Sequence, residues 1–563
     1  MSAGQPGIPV VNAPLSEAQP RRGLSPLLVL AALAALYLLC LPLRDLWYPD
    51  EPDLAEITRQ MLLSGDWLQL HLYGRVFADY PPLFFWLAAA SAKVGGLHEF
   101  ALRLPSAIAA IGLLLMTWAW TRRRVSAQAA SWTVAVCGTF FLFTQHAILV
   151  QVDMLLAFFL GASVFLFDLS RTETTPRSRA MLAALSALSM GLAALTKGPA
   201  GIVVPGVIIG ADCLLHRQWR ELWKVCLVCA AGSVVFLAWS AAYAEQASTE
   251  NLVYFIFKQN VERFLTGWSH KRPFYYYFVQ IVHGIAPWTL FLLACLPWAW
   301  RAARAGDRPQ GLALTWFCVV FAFFSASSSK RAVYILPLYP AAAVMVGSWV
   351  AGRIESGAGR RSLRLPLWLT AALLAAAGLA AAACLGRAQR MFPETRGLAW
   401  PLLTASGVLM AGGLLVASAL FRGRTARAMR MLPLVAGAAY LVSLGWLMPT
   451  LDASFSAKDD ARWFDTVVRQ EKGEKLGFFR PGKGVPKEST VLAFYGNLDV
   501  EVLHTGEDIK AFASRQPDGV IVVADGDLPE FRAAGQRDWG GVRTFRIGSE
   551  YFTALRGQPQ DAH

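Results

Sequence analysis

Charge is what this sequence is shortest of. Only 16% of its 563 residues are Asp, Glu, Lys or Arg, where soluble domains average about 25%. The hydrophobic share is 55%, which excludes a disordered chain. Cysteine is also scarce. All eight (Cys40, Cys137, Cys213, Cys226, Cys229, Cys295, Cys318, Cys384) fall inside or at the edge of apolar runs, so no disulfide framework is implied. Cys226 and Cys229 have CxxC spacing but lie on an apolar helix without a second pair, and they read as helix packing. No small-residue cleavage pattern follows the first apolar run, which is longer than a signal-peptide core and is expected to be retained. The net charge of +14 would suggest nucleic acid in a soluble protein. Here the apolar blocks dominate, charge must be read relative to a membrane, and no nucleic-acid partner is expected.

What is present is a series of apolar runs. A helix crossing about 30 Å of hydrocarbon needs roughly 20 apolar residues. By that measure thirteen segments are predicted to span: 24–43, 99–120, 127–148, 154–170, 180–195, 199–215, 225–245, 278–299, 311–327, 332–350, 365–386, 399–420 and 431–449. The pair 180–215 is broken by Lys197-Gly198-Pro199, which leaves a re-entrant loop open.

Orientation follows from Lys and Arg in short loops. Alternate connections are rich in Arg, including Arg122-Arg123-Arg124, Arg301 with Arg304 and Arg308, and Arg422 with Arg424, Arg427 and Arg430. The intervening hairpins hold few cations, apart from three Arg in 387–397. Residues 1–22 are therefore expected to be a cytoplasmic tail, 23–449 the transmembrane domain with external loops 44–98 and 246–277, and 450–563 a soluble periplasmic α/β domain. That last region carries 15 Lys and Arg against 18 Asp and Glu, so it is not a basic binding module. A helix is predicted over 456–470, strands over 491–495, 500–504 and 520–524, and a helix over 508–514.

The chemistry is expected at the outer rim. In Trp47-Tyr48-Pro49-Asp50-Glu51-Pro52-Asp53, the aromatic residues mark the interface, and Asp50 and Glu51 follow at membrane-surface depth. Leu54, Ile57, Met61 and Leu62 then share one helical face, with Asp53, Glu56, Arg59 and Gln60 on the other. That pattern predicts an amphipathic helix lying in the interface plane. An N-cap role would explain one acid, Asp50 or Asp53, but not four. Asp153 is a solitary acid at the edge of two apolar helices, a position that is costly without a function, although capping is its bland alternative. Lys197, Lys330, Arg331 and Tyr334 on the same side offer an anion site; taken singly, each cation would read as a snorkelling residue. Arg263 lies in the run Asn260 to Phe264, ahead of His270 and an aromatic belt. The residues leave a divalent metal open, with His270 and Asp79 its candidate ligands and no paired His spacing to strengthen them.

Asp50-Glu51, Ala55-Glu56-Ile57, Arg59, Met61 and Gly65-Asp66-Trp67 together resemble the first-loop signature of the GT-C fold polyprenyl-phosphate-sugar glycosyltransferases. Pro81-Pro82 with Trp86, Arg103-Leu104-Pro105, Asp153, Thr196 to Pro199, Asn260 to Phe264, His270 with Pro273, Pro287-Trp288 and Tyr334 to Pro337 follow in the expected order. The branch resembled is that of the lipid A 4-amino-4-deoxy-L-arabinose transferases, related to the dolichyl-phosphate-mannose protein mannosyltransferases. One departure stands out: where relatives often read Glu-Lys-Pro, this chain has Asp79-Tyr80-Pro81, which removes a Lys from that position.

The resemblance implies a polytopic α-helical inner-membrane protein of about 13 helices, with interfacial helices in the first loop and a small external α/β domain. It implies an inverting transferase, associated with polymyxin resistance, that moves the aminosugar from undecaprenyl phosphate to lipid A phosphates. Asp50, Glu51 and Asp153 would be catalytic; Arg59, Lys197, Lys330, Arg331, Tyr334 and Arg263 would hold the carrier phosphate. A protein hydroxyl or another glycan is the alternative acceptor. A transporter is the rival from another class, disfavoured because the charges gather at the rim rather than at the midplane. A scaffold or receptor would leave the first-loop acids without a role.

Overall fold

The computed structural model describes residues 25–73, 75–246, 249–267, 269–357, 360–391, 397–469, 475–482, 486–534 and 539–557. The expected tail 1–22 lies outside them. Among the described residues nine helices are long and apolar enough to cross a membrane, and eleven segments qualify if each of two bent pairs counts as one span. The expectation of thirteen spans is therefore not confirmed. The thirteen segments are all helical. Two of them are bent, Ala127–Cys137 with Phe141–Ala147 by 71° and Tyr276–Gly284 with Thr289–Arg304 by 110°, and two are short, Pro26–Cys40 and Ala200–Leu215. The helix at Leu83–Gly95, in the first loop, is apolar too. Leucines such as Leu28, Leu227, Leu373 and Leu414 stay exposed on the outside of the bundle, as lipid-facing residues would.

Helix Val152–Thr172 runs through the centre of the bundle and packs on Glu99–Arg124, Pro176–Lys197 and Ala200–Leu215. The break at Lys197-Gly198-Pro199 is a tight turn between two helices that pack on each other. Gly198 has φ 86°, and a Cβ there would lie 2.9 Å from the Phe255 ring. Both constraints call for glycine.

The first loop forms helix Glu51–Ser64, ended by Gly65 at φ 71°, and a small antiparallel ladder of β1 (His71–Leu72) with β2 (Arg75–Val76). Its polar face is not solvated as the amphipathic reading expected. Glu56, Thr58 and Arg59 are buried along with Leu54 and Ile57, because the C-terminal domain covers that face.

That domain holds a five-stranded sheet in the order β4-β3-β5-β7-β6. β3 (Leu476–Phe479), β4 (Val500–Leu503) and β5 (Val520–Ala524) are parallel, while β6 (Trp539–Ile547) and β7 (Glu550–Gly557) form an antiparallel hairpin on β5. The helix expected over 456–470 is present as Lys458–Arg469, and that over 508–514 as Gly506–Arg515; Gln470 lies outside the described residues. The strand expected at 491–495 is instead helix Glu488–Gly496, closed by Asn497 in the left-handed region at φ 49°. Its apolar run is buried on all sides, between the sheet and the first-loop helix, so it shows no period that would separate strand from helix.

The two parts are joined by specific polar contacts. Arg59 donates to Asn497 Oδ1 at 2.9 Å, Tyr495 Oη accepts the Leu46 N–H at 2.6 Å, Trp47 Nε1 donates to Asp452 at 2.7 Å, and Lys458 pairs with Asp45 at 2.8 Å. The joint fixes the C-terminal domain over the first loop and so positions the site.

Candidate active site

Four acids open the first-loop helix, and the structure sends them in two directions. Asp50 occupies the N-cap position but makes no capping bond, so its carboxylate is free for other partners. It forms an ion pair with Arg331 and a longer one, 3.5 Å, with Lys487 of the C-terminal domain. Burial alone would raise its pKa; Arg331 and then Lys487 outweigh burial and hold it below the usual carboxylate range. Asp53 accepts from Thr490 Oγ1 at 2.9 Å and pairs with Lys487 at 3.3 Å. There burial wins, and the Asp53 carboxyl is pushed up to about 6.

Glu51 turns inward instead. It accepts from Arg44 at 2.7 Å, Arg103 at 2.9 Å and the Val150 N–H at 3.0 Å. Burial opposes ionisation, but Arg103 and Arg44 overcome it and hold the carboxyl at about 2. Glu56 is likewise consumed by Arg59, in a fork at 2.7 and 2.8 Å. Glu51, expected to be catalytic, and Arg59, expected to meet a phosphate, are both held in buried ion pairs. Both side chains are buried in structural pairs and neither lines a cavity among those at the site.

Asp153 stands in the first turn of Val152–Thr172, where the helix dipole favours a carboxylate. It pairs with Lys197, the last residue of its own helix, where the dipole favours a cation. The Lys197 ammonium also sits 4.4 Å above the Tyr334 ring, and Arg263 donates to Tyr334 Oη at 3.1 Å. Asp153, Lys197, Tyr334 and Arg263 all line one cavity of about 490 Å³, whose apolar lining includes Leu156, Val203, Phe323 and Phe324. Gln259 and Asn260 reach it from Tyr254–Glu262, a π-helical stretch, a local form that recurs at functional sites, and Arg263 from the short helix Arg263–Thr266 that follows.

Lys330 does not join this cavity. Its ammonium is buried against the carbonyls of Ser327 and Arg272, which tie the hairpin to the 270 segment, and burial lowers its pKa. With Arg331, His270, Arg272 and Gln151 it borders a second, polar cavity of about 280 Å³. A third, outer cavity of about 670 Å³ is bounded by Asp53, Arg75, Asp79 and Lys487 among others; it shares Asp79 with the first. Asp50 thus pairs with one residue from the second cavity and one from the third.

Asp79 accepts a hydrogen bond from Gln259, and burial raises its pKa against the field of Arg263. His270, lowered by burial and by Arg331, borders the second cavity. The two candidate metal ligands line different cavities, and among the described residues no three His, Cys, Asp or Glu are grouped to hold a metal.

The structure therefore gathers Asp153, Lys197, Arg263 and Tyr334 on the first cavity and pairs Asp50 with Arg331, which borders the second cavity and feels the charge of Asp153; Glu51 and Arg59 line neither, and the Lys330 ammonium is taken up by backbone carbonyls. Sequence reasoning missed Lys487, which lies 437 residues from Asp50 along the chain, and no local pattern marks it. It also missed the Arg44–Glu51–Arg103 cluster, although Glu51 beside Asp50 and Arg103 in Arg103-Leu104-Pro105 were both in view.

With this geometry in view, residues 24–248 match the family described as dolichyl-phosphate-mannose-protein mannosyltransferase. Over nearly its whole length the chain also superimposes on ArnT from Cupriavidus metallidurans bound to undecaprenyl phosphate, with a TM-score of 0.76 at 20% identity, covering 95% of this chain and 98% of that one. The fold is GT-C. The archaeal oligosaccharyltransferase AglB from Archaeoglobus fulgidus shares it more distantly, with a TM-score of 0.51 at 12% identity, over 96% of this chain and 75% of that one. A curated relative, the undecaprenyl phosphate-alpha-4-amino-4-deoxy-L-arabinose arabinosyl transferase of Pectobacterium carotovorum, is 30% identical over 363 residues. That match spans 63% of this chain and 64% of the relative, less than two thirds of its length.

Proposed function

We propose that this GT-C protein is an inverting glycosyltransferase that moves 4-amino-4-deoxy-L-arabinose from undecaprenyl phosphate to phosphate groups of lipid A. The reaction is placed at the periplasmic face of the inner membrane, with residues 1–22 cytoplasmic and the C-terminal domain periplasmic, in line with the Arg-rich alternate loops. The observation that carries the reading is the pairing of Asp50 with Arg331 beside a cavity whose inner wall is apolar and whose rim is cationic. An isoprenoid tail fits the apolar wall, and Lys197, Arg263 and Tyr334 are positioned to hold the carrier phosphate.

A lipid A phosphate has a second pKa near 6, so its oxygen is already a nucleophile near neutral pH and needs no general base. That oxygen attacks the anomeric carbon as the bond from that carbon to the carrier phosphate oxygen breaks, with inversion. The released electron pair goes to undecaprenyl phosphate, whose charge the three rim groups stabilise as it develops. Asp50, ionised, stabilises positive charge building on the sugar and binds its amino group, taking the place now held by Arg331. Asp153 holds Lys197 in position, and Glu51 acts through Arg44, Arg103 and Val150 to fix the backbone that carries Asp50.

The match to protein mannosyltransferases favours a second reading, in which a protein hydroxyl is the acceptor and the ionised Asp50 serves as its base. Mass spectrometry of lipid A from cells with and without the gene separates the two. Gene-dependent addition of an aminopentose to lipid A phosphates is expected. Unmodified lipid A together with gene-dependent protein glycosylation would replace the first reading with the second.

A further inference from the structure

The outer cavity combines apolar residues, Leu72, Val76 and Phe77, with charges of both signs. Asp53 and Asp79 are carboxylates, and Arg75 and Lys487 are cations. A sugar phosphate presents hydroxyls that donate to carboxylates and an anion that pairs with cations, so this lining has the chemistry to recognise one. The cavity adjoins the first at Asp79, which is the contiguity a two-substrate transfer requires.

Its two cations differ from those of the inner rim. Arg75, on β2, is exposed and has no ion-pair partner among the described residues. Lys487 is half exposed, and its contacts to Asp53 at 3.3 Å and Asp50 at 3.5 Å are long. Contacts of that length are looser than the roughly 2.7–2.9 Å of a close charged hydrogen bond. The backbone beneath Lys487 is nevertheless fixed: Ser489 Oγ donates to Tyr73 Oη at 2.7 Å, and Thr490 Oγ1 donates to Asp53. An anchored segment thus carries a loosely held ammonium group into the space between Asp50 and the outer cavity.

We propose that the outer cavity receives the phosphorylated sugar headgroup of the acceptor, and that Lys487, lent by the C-terminal domain, leaves Asp50 and Asp53 to pair with the acceptor phosphate. Arg75, in the same lining, supplies the second cation. Acceptor binding then does two things at once: it seats the nucleophile, and it strips a counter-ion from Asp50. This rests on the lipid A reading above and adds which domain recognises the acceptor.

The test uses the full-length protein in nanodiscs, with lipid A and undecaprenyl phosphate titrated separately and transfer measured in parallel. Lys487→Ala is expected to weaken lipid A binding by about tenfold or more, raise the KM for lipid A to match, and leave undecaprenyl phosphate affinity unchanged. Lys487→Arg is expected to restore most of the loss, and Arg75→Ala to reproduce part of it. Unchanged lipid A affinity in Lys487→Ala, or a loss of undecaprenyl phosphate affinity instead, would overturn the assignment while leaving the transferase reading intact. A wild-type protein that transfers no sugar to lipid A and does not bind it would overturn both.

Discussion

Helix Val152–Thr172 carries an acid near each end, Asp153 and Asp168. The two lie about 22 Å apart along a straight helix. Their surroundings are opposite in design. Asp168 accepts from Trp120 at 2.9 Å, Arg124 at 2.8 Å and Arg171 at 2.9 Å, and Arg171 continues to Asp212 at 2.8 Å. It borders none of the three cavities around Asp50. Asp153 has one ammonium partner, which also faces a Tyr ring and a cavity of about 490 Å³. A saturated network holds helices together, whereas an unsaturated one beside a cavity is available to a ligand. Burial and ionic pairing alone do not distinguish function from structure; the number of partners and the adjoining space do.

That contrast can be broken at its structural end first. Asp168→Asn leaves Arg124 without its charge partner and Arg171 with Asp212 alone, a change expected to cost roughly 3 kcal/mol. Thermal melting in detergent should fall sharply, while transfer per folded molecule stays near wild type.

Glu51 tests whether a residue next to Asp50 belongs to the structural class. Glu51→Gln is expected to destabilise the protein by about 3 kcal/mol. The sign of its pH dependence follows from a carboxyl lowered from 4.5 to about 2 in the folded state. Its contribution is fully present above pH 4.5 and disappears as pH falls through about 2. Acid unfolding followed by tryptophan fluorescence should therefore begin at higher pH in Glu51→Gln than in the wild type.

At the open end, Lys197→Ala should cost a charged hydrogen bond to the carrier phosphate, about 1.5–3 kcal/mol in undecaprenyl phosphate affinity, and should also lower the melting temperature, because it leaves the buried Asp153 carboxylate without its ammonium partner. The smallest effect belongs to the exposed pair Arg123–Glu173 at 2.7 Å, whose Arg side chain is 59% exposed. Arg123→Ala should change stability by less than about 0.5 kcal/mol.

The same distinction explains what could be read before the fold was known. Apolar runs announced the helices, because hydrophobic length is a local property. Asp50, Asp153, Lys197 and Arg331 could be singled out because an ion at membrane depth is anomalous wherever it occurs. Glu51 and Lys330 looked equally anomalous, but their partners Arg103 and the Arg272 carbonyl are distant in sequence, so those contacts were invisible; Arg59 pairs with Glu56 three residues away, a spacing the sequence did offer. The polar face of Glu51–Ser64 suggested water or head groups and meets a protein domain. Residues 491–495 suggested a strand because a fully buried helix carries no amphipathic period. Lys487 had no sequence signal, since only the docking of the C-terminal domain brings it to Asp50.

The central claim is that Asp50, ionised between Arg331 and Lys487, is the carboxylate on which transfer depends. It is tested most directly by measuring sugar transfer with purified Asp50→Asn in nanodiscs, with undecaprenyl phosphate binding measured on the same sample. A fall in transfer of about a thousandfold or more, with carrier binding and melting temperature near wild type, is predicted. Wild-type transfer by the folded variant would contradict the account.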